Sequence, residues 1–367
     1  MENKQNGISP YTVYLARRTL KQMIRAVRSL HALSVNPDYQ ASLLTELPET
    51  AQIPSRHFSV LMGYDFHISA TQQVKLIEVN TNAGGLWFAC QCYAQSMRQF
   101  PQKLADKLLA TFLQEFRLYH QDSQAIPKLI AIVDSNPKTQ FLYPEMQIFV
   151  QLFAQAGIQT IIVDPSAIQL QDQALYYQKQ RIDLIYNRHC DFYLHSPEMQ
   201  AIATAWRQKS VCLTPNPRTY GLLADKQRMV NWTQSNIIQD VLPPKEAQAL
   251  QRVIPNTLNL SAFQQAQLWS ERKQWVFKPT TGYASRGVYI GNKLTKSKFN
   301  SFNIDNTLVQ AFIKPSTITT ADDKKFKTDF RLFVYQDTIL AVCARIYQGQ
   351  VTNLRTPHGG FSKIKLI

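Results

Sequence analysis

The stretches Gly63-Tyr-Asp-Phe-His-Ile68 and Leu76-Ile-Glu-Val-Asn80 decide the fold of this chain, and they flank a short polar turn. Both show the alternation of a β-strand with one buried face. Glu78 and Asn80 are two residues apart and share one face of the second strand, so the isoleucine and valine beside Glu78 would face the core. The pattern predicts a β-hairpin with oxygen-bearing side chains on one side.

The register of this hairpin predicts a metal site. If the chain turns at Thr71-Gln72, Asp65 lies directly opposite Glu78, with Cβ atoms roughly 5 Å apart. Two facing carboxylates repel each other in a bare hairpin but suit a divalent cation, and oxygen-only ligands favour magnesium. Asp65, Glu78 and Asn80 are therefore candidate metal ligands. A polar hairpin face exposed to solvent is the alternative.

A second stretch, Lys278-Pro-Thr-Thr-Gly-Tyr-Ala-Ser-Arg-Gly-Val-Tyr-Ile290, predicts a strand, a loop with two glycines and another strand. Backbone N–H groups of such a loop can close over phosphates, while the lysine at the strand end neutralises their charge. The loop lacks the GK[ST] of a Walker A motif, and an ordinary hairpin fits the same pattern. The candidate nucleotide contacts here are Lys278, Gly282, Ser285, Arg286 and Gly287.

A second lysine and two arginines extend the pattern. Lys226, about fifty residues before the first lysine, could reach a nucleotide from the opposite wall, although a lone lysine is normally a surface residue. Asp329 and Arg331 share one strand face, and Arg345 joins it only if the loop near residues 336–338 has an odd residue count. Two guanidinium groups on one face suit a phosphorylated intermediate, because each can fork onto phosphate oxygens. Two exposed arginines on a sheet are the alternative.

In this order the motifs resemble the ATP-grasp superfamily, and glutathione synthetase in particular. The resemblance implies an α/β fold with an α+β nucleotide domain, ATP and Mg²⁺ as cofactors, and catalytic roles for Arg331 and Arg345. It also implies nucleotide contacts at a hinge, where Ala311 stands in place of the usual glutamate. The residues that it adds at the hinge and on the substrate side are Gln310, Phe312, Ile313, Asn353, Gly359 and Gly360.

The metal-binding hairpin precedes the nucleotide motifs, an order similar to the circularly permuted, glutathionylspermidine synthase-like branch. A helix predicted over residues 11–33 would then be the one that the family places after Gly359-Gly360. Four divisions are predicted. Residues 1–57 are a helical segment completing the ATP-grasp domain, and residues 58–125 are the permuted metal-binding strands and helix. Residues 126–220 are a small Rossmann-like parallel α/β domain, and residues 221–367 are the nucleotide-binding domain.

Strands alternating with helices from residue 128 onward predict the parallel α/β unit. Asn187 and Arg188 follow its third strand, at residues 182–186. Ligands favour the carboxyl ends of strands in such sheets, so both residues are substrate-site candidates. An arginine on the surface is the alternative.

Bulk properties narrow the classes of function. The net charge is +15, and residues 271–367 hold 16 Lys and Arg against 6 Asp and Glu, which suits ATP as well as a nucleic acid. No nucleic-acid-binding motif accompanies the charge, so nucleic acid is disfavoured. No leader-like start or apolar run of about 18 residues predicts secretion or a membrane span. Five scattered cysteines suit free thiols in the cytoplasm.

The resemblance therefore implies an ATP-dependent carboxylate–amine ligase that forms an amide or peptide bond through an acyl phosphate. Its partners would be a small-molecule carboxylate and an amine, with a homodimer also compatible. A small-molecule kinase and a non-catalytic ATP-binding protein on the same fold remain alternatives, followed by a basic nucleic-acid-binding protein. The sequence leaves the identity of the acid and the amine open.

Overall fold

The structure is a computed structural model that describes residues 7–69, 71–94, 97–280, 287–354 and 356–367. The strands of these residues, in chain order, are β1 (Ile8–Leu15), β2 (Met62–Ile68), β3 (Val74–Asn80), β4 (Leu129–Val133), β5 (Gln159–Val163), β6 (Gln169–Gln171), β7 (Ala174–Tyr177), β8 (Gln180–Arg181), β9 (Leu184–Asn187), β10 (Cys212–Thr214), β11 (Thr257–Asn259), β12 (Trp275–Pro279), β13 (Tyr289–Ile290), β14 (Thr307–Ala311), β15 (Ser316–Thr319), β16 (Lys325–Tyr335), β17 (Thr338–Tyr347) and β18 (Gly360–Leu366).

The α-helices of the described residues are α1 (Arg17–Val35), α2 (Pro37–Leu43), α3 (Glu49–Gln52), α4 (Leu86–Gln91), α5 (Gln102–His120), α6 (Tyr143–Gln155), α7 (Gln200–Arg207), α8 (Pro217–Thr219), α9 (Gln227–Gln234), α10 (Ile237–Val241), α11 (Pro244–Val253), α12 (Gln265–Glu271) and α13 (Lys296–Asn300). A π-helical turn, Tyr220–Ala224, separates α8 from α9.

A seven-stranded sheet forms the centre, in the order β1-β18-β17-β16-β2-β3, with β15 paired to β16. Strands from both ends of the chain therefore lie in one sheet, and β1 runs parallel to β18. The main apolar core packs α1, the sheet and residues 220–254 together. This arrangement brings the predicted metal-binding hairpin beside the predicted arginine strands.

The beginning of the chain differs from the helix predicted over residues 11–33. Residues up to Leu15 form β1, and the helix begins only at Arg17. Pairing with β18 supplies the edge strand with hydrogen bonds, and the burial of Val13 and Leu15, two residues apart, fits the strand period. Asn36 ends α1 and caps α2 by accepting N–H bonds from Asp38 and Tyr39.

The predicted parallel α/β unit is confirmed. Strands β5, β4, β9 and β10 form a four-stranded sheet whose pairs are all parallel. All five residues of β4 are buried, as expected for a central strand covered on both faces. A third, separate sheet of antiparallel strands, β11-β14-β12-β13, carries the lysine-ended strand. A three-stranded antiparallel sheet of β6, β7 and β8 completes the fold.

Candidate functional site

A cavity lies between β3, at the edge of the central sheet, and the antiparallel sheet that carries β12. Its apolar lining includes Val79, Leu223, Met229 and Leu308. The polar residues that line it are Glu78, Asp225, Lys226, Thr257, Lys278 and Gln310. Apolar walls with a few convergent polar groups are typical of small-molecule sites.

Both predicted lysines face this cavity. Lys278 is buried on β12, and its ammonium donates to the side-chain oxygen of Gln310 at 2.7 Å and to the carbonyl of Ile77 at 3.2 Å. Lys226 lies between the π-helical turn and α9. Burial lowers the pKa of Lys278 to about 8 and also lowers that of Lys226, and Glu78 opposes both shifts. Two carboxylates, Glu78 and Asp225, line the same cavity as the two lysines, so the four charges balance.

The hairpin predicted to bind metal has the predicted pairing of Asp65 with Glu78, but by a different route. The connection between β2 and β3 covers residues 69–73, because Ile68 pairs with Val74. That register alone would set Glu78 opposite Tyr64. A β-bulge shifts the pairing by one residue, so Glu78 faces Asp65.

The bulge also changes the role of Ile77. Leu76 pairs with Phe66 and is fully buried, whereas Ile77 lines the cavity and its carbonyl accepts the bond from Lys278. The prediction that Ile77 faces the core is therefore wrong, because a bulge interrupts the strict alternation of a strand. Asn80 remains close to both carboxylates, and its amide nitrogen donates to Glu78 Oε1 at 3.3 Å and to Asp65 Oδ2 at 3.4 Å.

A second bulge places the two arginines on one face. The β16–β17 loop is the two-residue Gln336-Asp337, an even count that would set Arg345 on the opposite face from Asp329. Leu340 has no partner in the ladder, and beyond it Asp329 pairs with Arg345. The condition derived from loop length alone was therefore incomplete.

A buried cluster of two aspartates and two arginines results. Arg331 Nε and Nη2 each donate to one oxygen of Asp65 at 2.6 Å. Arg345 Nη2 lies 2.9 Å from Asp65, and its Nε donates to Asp329 at 2.6 Å. Burial disfavours the charged carboxylate of Asp65, but the two arginines outweigh it and hold its pKa well below the ordinary value. The hydroxyl of Thr352 donates to the other oxygen of Asp329.

One loop, residues 81–85, connects this cluster with the parallel α/β unit. Arg188 is buried, and its Nη1 donates to the carbonyls of Asn82 and Ala83 at 2.7 and 3.2 Å. From the other side Arg331 Nη1 donates to the carbonyl of Gly84 at 3.2 Å. Of the two substrate-site candidates on β9, Arg188 thus lies beside the cluster. The side chain of Asn187 accepts from the His189 N–H and shapes the turn after the strand.

Of the hinge residues, Gln310 lines the cavity. Phe312 and Ile313 are not among the residues that line the cavity in the described part of the chain, and their backbone groups form hydrogen bonds elsewhere. The Phe312 N–H donates to Gln274 at 2.7 Å, and the Ile313 carbonyl accepts from His67 Nδ1 at 3.0 Å. Gly287 follows with a φ of +75°, and Gly282, Ser285 and Arg286 lie outside the described residues.

The C-terminal candidates serve local structure in this arrangement. Asn353 is exposed, and its carbonyl accepts two bonds from Thr356. Gly360 has a φ of +105°, and a Cβ atom there would lie 2.3 Å from the carbonyl oxygen of Gly7. Gly359 is also buried, directly before β18. A substrate role for these three residues stays a prediction.

Sequence reasoning missed His67, Asn82 and Thr352. His67 follows Asp65 by two residues, so strand alternation could have placed it beside the cluster. Its pKa is lowered by burial, and Asp329 acts in the opposite direction. Asn82 donates to the carbonyls of Arg188 and His189. Thr352 lies in a loop without a motif, and no sequence signal marks it.

The architecture is similar to that of several solved structures. A glutathione synthetase-like effector from Globodera pallida matches with a TM-score of 0.65 at 12% identity, covering 98% of this chain and 90% of that one. The chain has a glutathione synthetase-like ATP-grasp fold. A protein assigned as a gamma-glutamylcysteine synthetase from Methylobacillus flagellatus KT matches with a TM-score of 0.52 at 9% identity, covering 92% of this chain and 86% of that one.

The ATP-grasp likeness is one of structure. No family model matches the sequence, and a comparison with curated proteins gives no match. Whether the chain order is a circular permutation is not tested by the structural likeness and stays a prediction. In the part of the chain that is described, no helix has the length and apolar character needed to cross a membrane.

Proposed function

We propose that the protein is an ATP-dependent carboxylate–amine ligase that forms an amide or peptide bond through an acyl phosphate. The observation that carries the proposal is the cavity in which Lys226 and Lys278 face Glu78, beside a buried pair of arginines. The ATP-grasp fold supports the use of ATP, and the metal-binding hairpin stands before the nucleotide segment, as in a permuted member of the superfamily.

Mg²⁺ fits the oxygen groups at the cavity. Glu78 lines it, and the amide nitrogen of Asn80 donates to two carboxylates, which leaves its amide oxygen for a cation. Mg²⁺ is commonly held through one or two carboxylates together with phosphate oxygens and water. Asp65, the third ligand expected from the sequence, has both oxygens on guanidinium groups, so the proposed metal contacts are Glu78 and Asn80. Bound there, Mg²⁺ would offset the negative charge of the phosphates.

The roles of the remaining residues follow from their charge. Lys226 and Lys278 would hold the phosphates of ATP, and Arg331 and Arg345 would hold the phosphoryl group as it leaves ADP for a carboxylate oxygen. An amine nitrogen then attacks the acyl carbon, inorganic phosphate leaves, and the amine proton passes to solvent. Arg188 would meet the acid substrate from the α/β unit. Asn187, Asn353, Gly359 and Gly360 stay substrate-side predictions.

A screen for ADP and phosphate release tests this function. Mg²⁺-ATP is offered with amino acids, short peptides, thiols and polyamines, singly and in pairs. Release that requires one acid and one amine supports a ligase. Release with a single hydroxyl compound would identify a kinase, and nucleotide binding without release under any mixture would identify a non-catalytic binder. Salt-dependent retention on DNA or RNA without nucleotide affinity would instead favour a nucleic-acid-binding protein.

The variant Glu78→Gln provides the matched control for the screen. Replacing one carboxylate oxygen by an amide keeps the side-chain volume but removes the charge that faces both lysines. Loss of one preorganised group typically lowers turnover by about a hundredfold or more. Near-normal ADP release from Glu78→Gln would contradict its assigned role.

A further inference from the structure

Asp65 stands between the cavity and the arginines. On one side its cross-strand partner is Glu78, and on the other it is Arg331. We propose that Asp65 is a positioning residue, which orients Arg331 and Arg345 toward the transferring phosphoryl group, and that Mg²⁺ is held without it. This inference rests on the proposed ligase function.

The contacts of Asp65 are those of an arginine anchor. Its side chain is only 3% exposed, and Arg331 binds its two oxygens in the side-on, two-bond geometry that fixes a guanidinium plane. Arg345 reaches the same carboxylate at 2.9 Å. The carboxylate of Glu78, by contrast, lines the cavity. Two facing carboxylates therefore have different surroundings, and of the two only Glu78 lines the cavity with the lysines.

The charges of the cluster support the same division. Asp65 and Asp329 carry two negative charges, and Arg331 and Arg345 carry two positive charges, so the buried group is neutral. If Asp65 turned to a metal ion, two guanidinium groups would share one remaining carboxylate in a buried environment. Leaving a buried charge without its partner is strongly unfavourable.

The side chain of Arg331 packs over Gly63. A Cβ atom at Gly63 would lie 3.4 Å from Arg331 Nε and 3.6 Å from its Cδ, which are ordinary contacts, but only 2.7 Å from the Cβ atom of Ala83. The other end of the same guanidinium donates to the carbonyl of Gly84. Arg331 is thus fixed by Asp65, by the Gly84 carbonyl and by packing, as required of a group that must be oriented before the reaction.

Metal binding and turnover distinguish this role from that of a ligand. Mn²⁺ replaces Mg²⁺ as a probe, and its binding with ADP is measured by electron paramagnetic resonance for the wild type, Asp65→Asn and Glu78→Gln. We expect Asp65→Asn to bind Mn²⁺ within about threefold of the wild type while ADP release falls about a hundredfold. Glu78→Gln should weaken Mn²⁺ binding by about tenfold or more.

Equal weakening of Mn²⁺ binding in Asp65→Asn and Glu78→Gln would overturn the inference. Arg331→Lys is a second variant in case Asp65→Asn does not fold, and it should likewise lose turnover and retain Mn²⁺. The double variant Asp65→Asn/Arg331→Lys tests whether Asp65 acts through Arg331. Turnover no lower than that of the worse single variant supports positioning, whereas losses of turnover that multiply contradict it. A wild type that binds no Mn²⁺ with ADP would reject the proposed function itself.

Discussion

Raising the pH above 8 should weaken nucleotide binding, because Lys278 then loses its charge. Burial holds the pKa of this lysine at about 8, below the ordinary value of 10.5. The ammonium is therefore charged below pH 8 in the free protein, and only about a tenth of it remains charged at pH 9. Phosphate oxygens favour the charged form, so binding above pH 8 must take up a proton.

The magnitude follows from the same two values. The difference between the ordinary pKa of 10.5 and the pKa of about 8 in the free protein corresponds to roughly 3 kcal/mol. Bound phosphates that restored the ordinary pKa of Lys278 would regain this free energy. Between pH 8 and the pKa of the bound state, the Kd for Mg²⁺-ADP should rise by up to about tenfold per pH unit. Isothermal titration calorimetry from pH 7.5 to 9.5 measures the slope.

Arginine substitutions are the matched controls, because arginine stays charged throughout this range. Lys226 also has a pKa lowered by burial, so the double variant Lys226→Arg/Lys278→Arg should show a flat Kd, and Lys278→Arg a reduced slope. A wild type whose Kd does not change from pH 7.5 to 9.5, or a double variant with the wild-type slope, would refute the reasoning.

Three further predictions concern stability. Arg345→Ala leaves two buried aspartates without a shared partner and should lower the free energy of unfolding in urea by about 3–5 kcal/mol, more than Arg345→Lys. Burial raises the pKa of Glu115 from 4.5 to about 7, so between these values the folded state binds more protons than the unfolded state. The free energy of unfolding should therefore fall as the pH rises from 5 to 8, and Glu115→Gln should reduce this slope in denaturation experiments. Gly360→Ala should lower the melting temperature more than Gly349→Ala, since both have positive φ but only Gly360 lies against a backbone carbonyl; equal effects would contradict the clash.

Much of the site was predictable because strand alternation is a local property. The spacing of Glu78 and Asn80 places them on one face, and Lys278 ends a strand, whatever surrounds them. The fold class followed from the order of such motifs. The structure brings Glu78, Lys226 and Lys278 to one cavity, as that order implies.

Bulges were not predictable, because they depend on pairing rather than on sequence spacing. The turn assumed at Thr71-Gln72 gave the right partner for Asp65 only because the longer real connection and the bulge at Ile77 cancel each other. In the other hairpin the loop length alone gave the wrong face for Arg345, and the bulge at Leu340 corrects it. A bulge is one residue long and carries no fixed composition, so the packing of the sheet decides where it forms.

The N-terminal strand was missed for a related reason. The helix predicted over residues 11–33 included the second half of β1, whose actual partner, β18, is more than three hundred residues away in sequence. Long-range pairing overrides a local pattern of this kind. Burial of the arginine cluster also could not be read from sequence, because it depends on strands from both halves of the chain.

The loop of residues 81–85 has a thermodynamic consequence. Arg188 donates to the carbonyls of Asn82 and Ala83 from the α/β unit, and Arg331 donates to the carbonyl of Gly84 from the central sheet. A ligand that draws either arginine away changes the support of the loop on which the other depends. By linkage, if acid bound at Arg188 changes the phosphate affinity at Arg331 by some factor, phosphate bound at Arg331 changes the acid affinity at Arg188 by the same factor. Acid and nucleotide would then bind cooperatively because both bind arginines that hold the same loop, residues 81–85.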